Sequence, residues 1–179
     1  MGKSISSKMD RWLCSLLVLF LIITACQQQE RVLSFETIAK SDASDIGLIA
    51  YKEERPALLV IAKTEEIDDL IQNMLAGHSA LADQLRQLDY DRLFAILVLQ
   101  GLKGQGGHSV TVQEVSRQGS QVIVRADFVS PALGTRRIQA FTSPYHLVAV
   151  SKEGDWEQQV RFVLAVNDES AAETSHFIP

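Results

Sequence analysis

The apolar positions of this chain recur mostly with the two-residue period of β-strands. Residues 120–129 and 159–166 alternate apolar and polar side chains, a pattern typical of strands with one buried face. Residues 57–62 and 93–99 are continuously apolar, which predicts strands covered on both faces. Further strands are predicted over 33–38, 108–118, 136–141 and 145–151.

Two of these strands are predicted to form a β-hairpin around Gly119. In its first arm Val112 and Val115 are three residues apart, which breaks the two-residue alternation. A β-bulge near Glu114 would return both valines to the same face of the sheet.

One segment has the period of a helix instead. Glu65 and Glu66 follow Thr64, a good N-cap residue, and carboxylates in a first turn favour the helix dipole. The next apolar residues lie on one helical face: Ile67, Leu70, Ile71 and Met74. A second short helix is predicted over 80–88. With about seven strands, these elements predict a β-dominated α+β fold, an antiparallel sheet or sandwich with one or two packed helices.

The first 25 residues have the features of an export signal. Lys3, Lys8 and Arg11 precede an apolar run over 12–25. This run is shorter than the roughly 20 residues that a membrane-spanning helix needs, so it fits a signal peptide better. An ordinary signal peptide cut near Ala25 and an uncleaved anchor are the alternatives.

The residues that end this run, Ile23-Thr24-Ala25-Cys26, resemble the bacterial lipobox. The resemblance implies cleavage between Ala25 and Cys26 and attachment of acyl chains to Cys26. Several acyl chains on one residue make a stable membrane anchor. We therefore expect a lipid-anchored, extracytoplasmic protein of the cell membrane or the outer membrane, and Gln27 favours the outer membrane in a cell with two membranes.

The chain divides into four predicted regions. Residues 1–25 are the signal peptide, and 26–31 are the lipidated cysteine with a short tether. Residues 32–167 form a single domain, and 168–179 are polar and small, which predicts a disordered tail.

The charge of the chain argues against a nucleic-acid partner. Three of its 17 Lys and Arg and one of its 22 Asp and Glu precede Cys26, which leaves 14 basic and 21 acidic residues. An acidic domain binds a phosphate backbone poorly.

The segment 89–152 resembles the PrcB C-terminal domain family. It has an apolar strand, then a glycine pair in Gln105-Gly106-Gly107-His108, a hairpin, and Thr142-Ser143-Pro144-Tyr145-His146 before another apolar strand. Gln105 and His108 stand where the family usually has Thr and Tyr. The candidate interaction residues are those of the two motifs: Gly106, Gly107, His108, Pro144, Tyr145 and His146.

The resemblance implies an accessory role and no reaction. The family is named after a lipoprotein subunit of a surface protease complex, which supports the protease and is not itself proteolytic. We therefore expect a non-catalytic, membrane-anchored module whose protein partner is a secreted protease or another envelope protein. The alternatives are a binder of small molecules or cell-wall fragments and a protease inhibitor that uses the loop 104–108.

No residue pattern points to catalysis, a cofactor or a metal. The glycine cluster is followed by a strand pattern, whereas a phosphate loop needs a following helix. The four histidines lack the spacing of a zinc helix. Ser109, His108 and Asp127 could be combined into a triad, but no nucleophile elbow supports it. We expect no catalytic residues, no metal and no cofactor.

Overall fold

The computed structural model describes residues 30–41, 51–75, 79–132, 134 and 139–179. Within these ranges the chain forms nine strands and two helices, so the predicted β-dominated α+β fold is confirmed. In chain order the elements are β1 (Arg31–Val32), β2 (Phe35–Lys40), β3 (Ala57–Ile61), α1 (Glu66–Asn73), α2 (Ser79–Arg86), β4 (Leu93–Leu99), β5 (Ser109–Gln118), β6 (Gln121–Val129), β7 (Tyr145–Ser151), β8 (Gln158–Val166) and β9 (Glu169–Ile178).

The strands form two sheets that pack face to face. One sheet has the order β1-β5-β6-β8-β9 and the other has the order β2-β7-β4-β3. All neighbouring strands are antiparallel except β6 and β8, which are parallel. The parallel pair was not predicted, because β7, the strand between β6 and β8 in sequence, belongs to the other sheet.

Strand β4 explains the long apolar run of the sequence. Phe94, Ile96 and Val98 lie in the core between the two sheets. The alternate residues, such as Ala95 and Leu97, lie in a second core that includes residues of both helices. Both faces of β4 are therefore buried, as continuous apolar sequence predicts.

The helices cover the outer face of the four-stranded sheet. Ile67, Leu70 and Met74 are buried there, so the predicted apolar face of α1 is confirmed. Glu65, and not Thr64, is the N-cap residue, and its side chain makes no capping bond. Within the described ranges, no helix is long and apolar enough to cross a membrane.

The predicted hairpin of β5 and β6 is confirmed together with its bulge. The register shifts between Val112 and Glu114, and this extra residue lets both Val112 and Val115 point into the core. Gly119, in the turn, has a positive φ of 60°, which glycine adopts at little cost.

The predicted disordered tail is wrong, because residues 169–178 form β9. This strand pairs with β8 from Gln158 to Val166. Asn167 and Asp168, both with positive φ, make the two-residue turn between them, and Asn and Asp tolerate this conformation better than most residues. The domain therefore extends beyond residue 167.

Two other predicted boundaries also change. Arg31 and Val32 already pair with β5, so the domain begins inside the predicted tether. Residues 139–141 are not in a strand, and the rest of the predicted strand 136–141 lies outside the described residues.

The sandwich has two ends, the hairpin end and the loop end. The hairpin end contains Arg31, the β5–β6 turn at Gly119, and Pro179, because β1 pairs with the last residues of β5 and β9 ends opposite the start of β8. The loop end contains residues 100–108, Val129 and 139–144. The first and last described residues of the chain thus lie at the hairpin end.

Candidate functional site

The two predicted motif segments lie against each other at the loop end. Lys103 and Thr142 form an isolated antiparallel bridge, in which each backbone N–H donates to the other carbonyl at 2.8 and 2.9 Å. The hydroxyl of Thr142 also donates to the carbonyl of Gln105 at 3.2 Å. The glycine loop is therefore fixed to the segment that precedes β7.

Gly101 begins this loop in a position that only glycine fits. Its φ is +91°, and an added Cβ would lie 2.1 Å from the carbonyl oxygen of Glu54. The neighbouring residues are bonded on both sides, since the Gln100 N–H donates to Pro144 and the Leu102 N–H donates to Glu53. The chain packs here backbone against backbone, which requires a residue without a side chain.

His146 holds the two sheets together. Its Nδ1 accepts a hydrogen bond from the backbone N–H of Val112 at 2.8 Å, across the interface between the sheets. The hydrogen is therefore on Nε2, which lies 2.9 Å from the hydroxyl of Thr37 and donates to it. The side chain is 3 % exposed, so both ring nitrogens are committed to structural contacts.

The surroundings of His146 keep its imidazole neutral. Burial, reinforced by the positive charge of Lys40, lowers the pKa of His146 to about 4. A protonated Nδ1 could no longer accept from Val112, so the neutral form is the one that fits the site.

Tyr145 and Pro144 are buried as well. The backbone N–H of Tyr145 donates to the hydroxyl of Ser41 at 2.8 Å, and the Ser41 N–H donates back to the Tyr145 carbonyl at 3.0 Å. Ser143 in turn donates to the carbonyl of Tyr51 at 2.7 Å. The second motif thus ties β7 to the segments around Ser41 and Tyr51.

The first motif makes a tight connection into β5. Gly106 is buried, and Gly107 has a φ of +89°. Strand β5 follows at Ser109, and no helix of the described ranges points its N-terminus at the glycines, which disfavours phosphate binding here. Because Gly106 is buried and the carbonyl of Gln105 is bonded to Thr142, the centre of this loop is not presented as an inhibitory loop would be.

His108 is half-buried, and its Nδ1 has no hydrogen-bond partner. Burial and the nearby charge of Lys103 lower its pKa. Asp127 accepts a hydrogen bond from Gln113 at 2.6 Å, and the described structure shows no hydrogen bond between Asp127 and His108. Among the described ranges, no group of three or more His, Cys, Asp or Glu is arranged to hold a metal ion.

The exposed residues of the loop end differ from the predicted interaction residues. Phe141 is 71 % exposed and Val129 is 51 % exposed. Gly104 is exposed too, and an added Cβ there would meet no atom within 4 Å. The sequence placed Phe141 in a half-buried strand, so its exposure was missed. The signal was present in Pro144 and Gly134, which indicate irregular structure.

A cleft of about 750 Å³ lies at the hairpin end, lined by Tyr90, Lys152 and Trp156 among others. Trp156 packs edge-on against Phe94 and carries the guanidinium of Arg117 over its ring at 3.9 Å. Lys152 donates to the carbonyl of Tyr90 at 2.6 Å, and burial lowers its pKa. The lining of the cleft is mostly polar and charged, since Asp91, Asp155 and Glu157 also line it.

The predicted lipidation and cleavage residues, Cys26 and Ala25, lie outside the described residues. The chain is attached to the domain from Glu30 onward, four positions after Cys26. The carboxylate of Glu30 accepts hydrogen bonds from Ser116 at 2.6 Å and Arg125 at 3.4 Å. These bonds lower the pKa of Glu30.

Fold and site together define a two-sheet domain whose motif residues hold loops and sheets in place. Residues 94–151 match the family described as PrcB C-terminal, which confirms the family resemblance over this segment. The match runs from β4 to the end of β7 and includes all six candidate motif residues. Comparisons with curated proteins and with solved structures found no match.

Proposed function

We propose that this protein is a lipid-anchored accessory subunit of the bacterial cell envelope, which binds an exported protease or another envelope protein and has no catalytic activity of its own. The observation that carries the proposal is the PrcB C-terminal match over residues 94–151. The Ile23-Thr24-Ala25-Cys26 motif adds the membrane anchor.

The position of Glu30 supports close attachment to the membrane. Four residues span at most about 14 Å between Cys26 and Glu30 when fully extended. Since Glu30 is bonded to Ser116 and Arg125, a lipidated Cys26 keeps the domain next to the headgroups. A partner then meets the protein at the membrane surface.

The roles of the motif side chains support binding over catalysis. His146 is neutral, buried and bonded through both ring nitrogens. Tyr145 and Pro144 are buried within the fold. These residues keep the loop end rigid, and a rigid surface loses less entropy when it binds a partner.

The anchor is tested with Cys26→Ser, and Gln27→Ser serves as the matched control. We expect Cys26→Ser to leave the membrane fraction and to lose incorporated labelled fatty acid, while Gln27→Ser keeps both. Retention of Cys26→Ser in the membrane after a high-salt wash would contradict the anchor.

The accessory role is tested by purification of the tagged, full-length protein from detergent-solubilised membranes. We expect one envelope protein to co-purify in constant ratio, with an exported protease or a protein of its complex as the expected identity. Recovery of this chain alone would contradict the accessory role.

A second candidate function, the binding of small molecules or cell-wall fragments, is favoured by the cleft at Tyr90, Lys152 and Trp156. Muropeptides would be added to the purified protein while the unfolding temperature and Trp156 fluorescence are measured. A saturable shift that Lys152→Met abolishes would support this function. An unfolding temperature and a Trp156 fluorescence that muropeptides leave unchanged would exclude these ligands.

A further inference from the structure

We infer that the hairpin end of the domain docks on the membrane surface, through a cleft in which Arg31 and Arg117 bind the phosphate of a zwitterionic phospholipid headgroup. The inference rests on the proposed function, since it names a lipid contact that the proposed anchor brings within reach. Neither arginine was among the candidate interaction residues of the sequence.

The first observation is a pair of neighbouring arginines. Arg31 of β1 and Arg117 of β5 are directly paired across the sheet. The Cζ of Arg117 lies 3.9 Å from the centre of the Trp156 ring, and its Nη2 donates to the carbonyl of Asp155 at 2.6 Å. Burial and the charge of Arg31 lower the pKa of Arg117. The two cations therefore repel each other, and an anion that contacts both relieves this repulsion.

The second observation is a cleft beside the pair. It has a volume of about 560 Å³ and shares Gly154 with the larger cleft at Tyr90. Nη1 of Arg31 lies over Gly154, 3.4 Å from the position that a Cβ there would take. Glu153 and Asp155 line the same cleft. A headgroup that carries an ammonium group beside its phosphate matches both signs of charge.

The two arginines are not neutralised by carboxylates of the described chain. Among the described residues, no Asp or Glu forms an ion pair with Arg31 or Arg117. Outside those ranges, the chain after Cys26 contains only two acidic residues, Asp42 and Asp45. These two aspartates are the remaining candidates for a carboxylate partner within the chain.

Both aspartates are out of reach of the cleft. Ser41 and Tyr51, which flank the segment 42–50, are bonded to Tyr145 and Ser143 at the loop end. The nine residues between them can extend at most about 17 Å from that end and return, whereas β7 alone covers about 20 Å from its first to its last residue. The arginines are therefore available to an anion from outside the chain.

The third observation is where the chain leaves the domain. Glu30 is bonded to Ser116 and Arg125, and Arg31 is five positions after Cys26, so at most about 17 Å separate these two residues. A lipidated Cys26 therefore holds the cleft beside the headgroups. Such a short connection raises the effective concentration of headgroups at the cleft, which makes the membrane its occupant.

The test uses the full-length, lipidated protein in vesicles that contain a lipid with a nitroxide on its headgroup. Once residues 1–25 are removed, Trp156 is the one tryptophan of the chain, so quenching of its fluorescence measures how close the cleft lies to the headgroups. We expect strong quenching in zwitterionic vesicles of phosphatidylcholine and phosphatidylethanolamine. Quenching should be weaker in phosphatidylglycerol vesicles, because an anionic surface repels an acidic domain. Equal or stronger quenching in the anionic vesicles would overturn the inferred headgroup.

Arg31→Gln is the informative variant, because Arg31 is exposed and its replacement should leave the fold intact. It should lower the ratio of docked to undocked protein ~5-fold, and Arg31→Lys, which keeps the charge, should lower it less. The matched control is Arg55→Gln, which removes an exposed charge next to Gly101 at the loop end and should leave the quenching unchanged. Quenching that is insensitive to Arg31→Gln, or equally sensitive to Arg55→Gln, would overturn the inferred contact.

Two further measurements separate the other occupants of the cleft. The combined changes Gln27→Gly, Gln28→Ser and Gln29→Gly should leave the quenching unchanged, and altered quenching would mean that the glutamines occupy the cleft. Inorganic phosphate should not raise the unfolding temperature of the detergent-solubilised protein. A rise that Arg31→Gln abolishes, without Arg31-dependent quenching in vesicles, would make the cleft a site for a free anion and overturn the inference.

Failure of the inference and failure of the proposed function are distinguishable. If the protein is acylated and anchored but its quenching does not depend on Arg31, the headgroup contact is wrong and the proposed function stands. If Cys26 carries no acyl chain, the proposed anchor fails first, and the inferred contact fails with it.

Discussion

The backbone N–H of Val112 donates to Nδ1 of His146, so a side chain of β7 takes the place of a sheet hydrogen bond of β5 at its bulge. The bulge and the histidine depend on each other. The bulge turns the N–H of Val112 away from the regular ladder, and His146 supplies the acceptor that this buried group needs. His146 of the Pro-Tyr-His motif therefore connects the two sheets through a hydrogen bond.

Replacement of His146 by Phe should destabilise the domain. The change leaves the N–H of Val112 buried without an acceptor, which costs about 1–3 kcal/mol, and it removes the contact with Thr37. Urea unfolding monitored through Trp156 fluorescence measures the loss. Since the Oε1 of Gln can accept from Val112, His146→Gln should lose less. Equal stability of His146→Phe and the wild type would show that the hydrogen bond contributes nothing.

Acid should weaken the fold through the same histidine. The pKa of His146 is about 4 in the folded chain and about 6.5 when unfolded. The unfolded state therefore binds more protons between these values. The stability is fully present above about pH 6.5 and falls as the pH drops toward 4, by at most about 3 kcal/mol.

The measurement is the free energy of unfolding of wild type and His146→Gln from pH 7 to pH 4. Glu30 and Glu173 also have lowered pKa values, and their contribution falls in acid in both proteins. The wild type should lose more stability than His146→Gln as the pH falls. If the free energy of unfolding fell by the same amount in both proteins, titration of His146 would not be the cause of the loss in acid.

Gly101 and Gly104 make a matched pair for a test of the loop. A Cβ on Gly101 would collide with the carbonyl of Glu54 at positive φ, whereas a Cβ on Gly104 would meet nothing. We expect Gly101→Ala to lower the unfolding temperature by several degrees or to prevent folding. Gly104→Ala should leave the unfolding temperature within about one degree, and similar effects of the two changes would contradict this account of the loop.

Ile178 and Phe177 test the last strand in the same way. Ile178 is fully buried in the core between the sheets, and Phe177, its neighbour on β9, is 45 % exposed. Ile178→Ala should cost about 2–5 kcal/mol, and Phe177→Ala should cost less. Chemical denaturation measures the free energy of unfolding of both variants. If Ile178→Ala left this free energy unchanged, β9 would contribute little to the stability of the core.

The sequence was most informative where burial leaves a strong periodic signal. The double-sided burial of β4 produces an unbroken apolar run, and the shifted spacing of Val112 and Val115 revealed the bulge. The helix of Ile67 and Leu70 followed from its apolar face. In each case the side chains that fill the core define the element.

The last strand escaped prediction because its signal is weak. In β9 the residues that share a face are mostly small or polar, and Ile178 is its one fully buried large side chain. Its order comes from pairing with β8 over nine positions, which no local pattern reveals. The Asn167-Asp168 turn was the available signal for a hairpin.

The sequence identified the loop of Gly106 and the Pro144 motif as candidates for interaction, and their role as an interaction surface stays a prediction. The bridge between Lys103 and Thr142 places the two motifs side by side. Sequence reasoning could not separate residues that build this end from residues that face outward. That distinction depends on which side chains the rest of the fold covers, as for His146 and Phe141.

The parallel pairing of β6 with β8 has a consequence for how the domain acquires its shape. The chain leaves one sheet after β6, contributes β7 to the middle of the other, and only then returns beside β6. Neither sheet can be finished before the other has begun. Folding should therefore occur as a single late event that needs the strands from β7 onward, and a chain that ends before β7 would leave both sheets with unpaired strand edges.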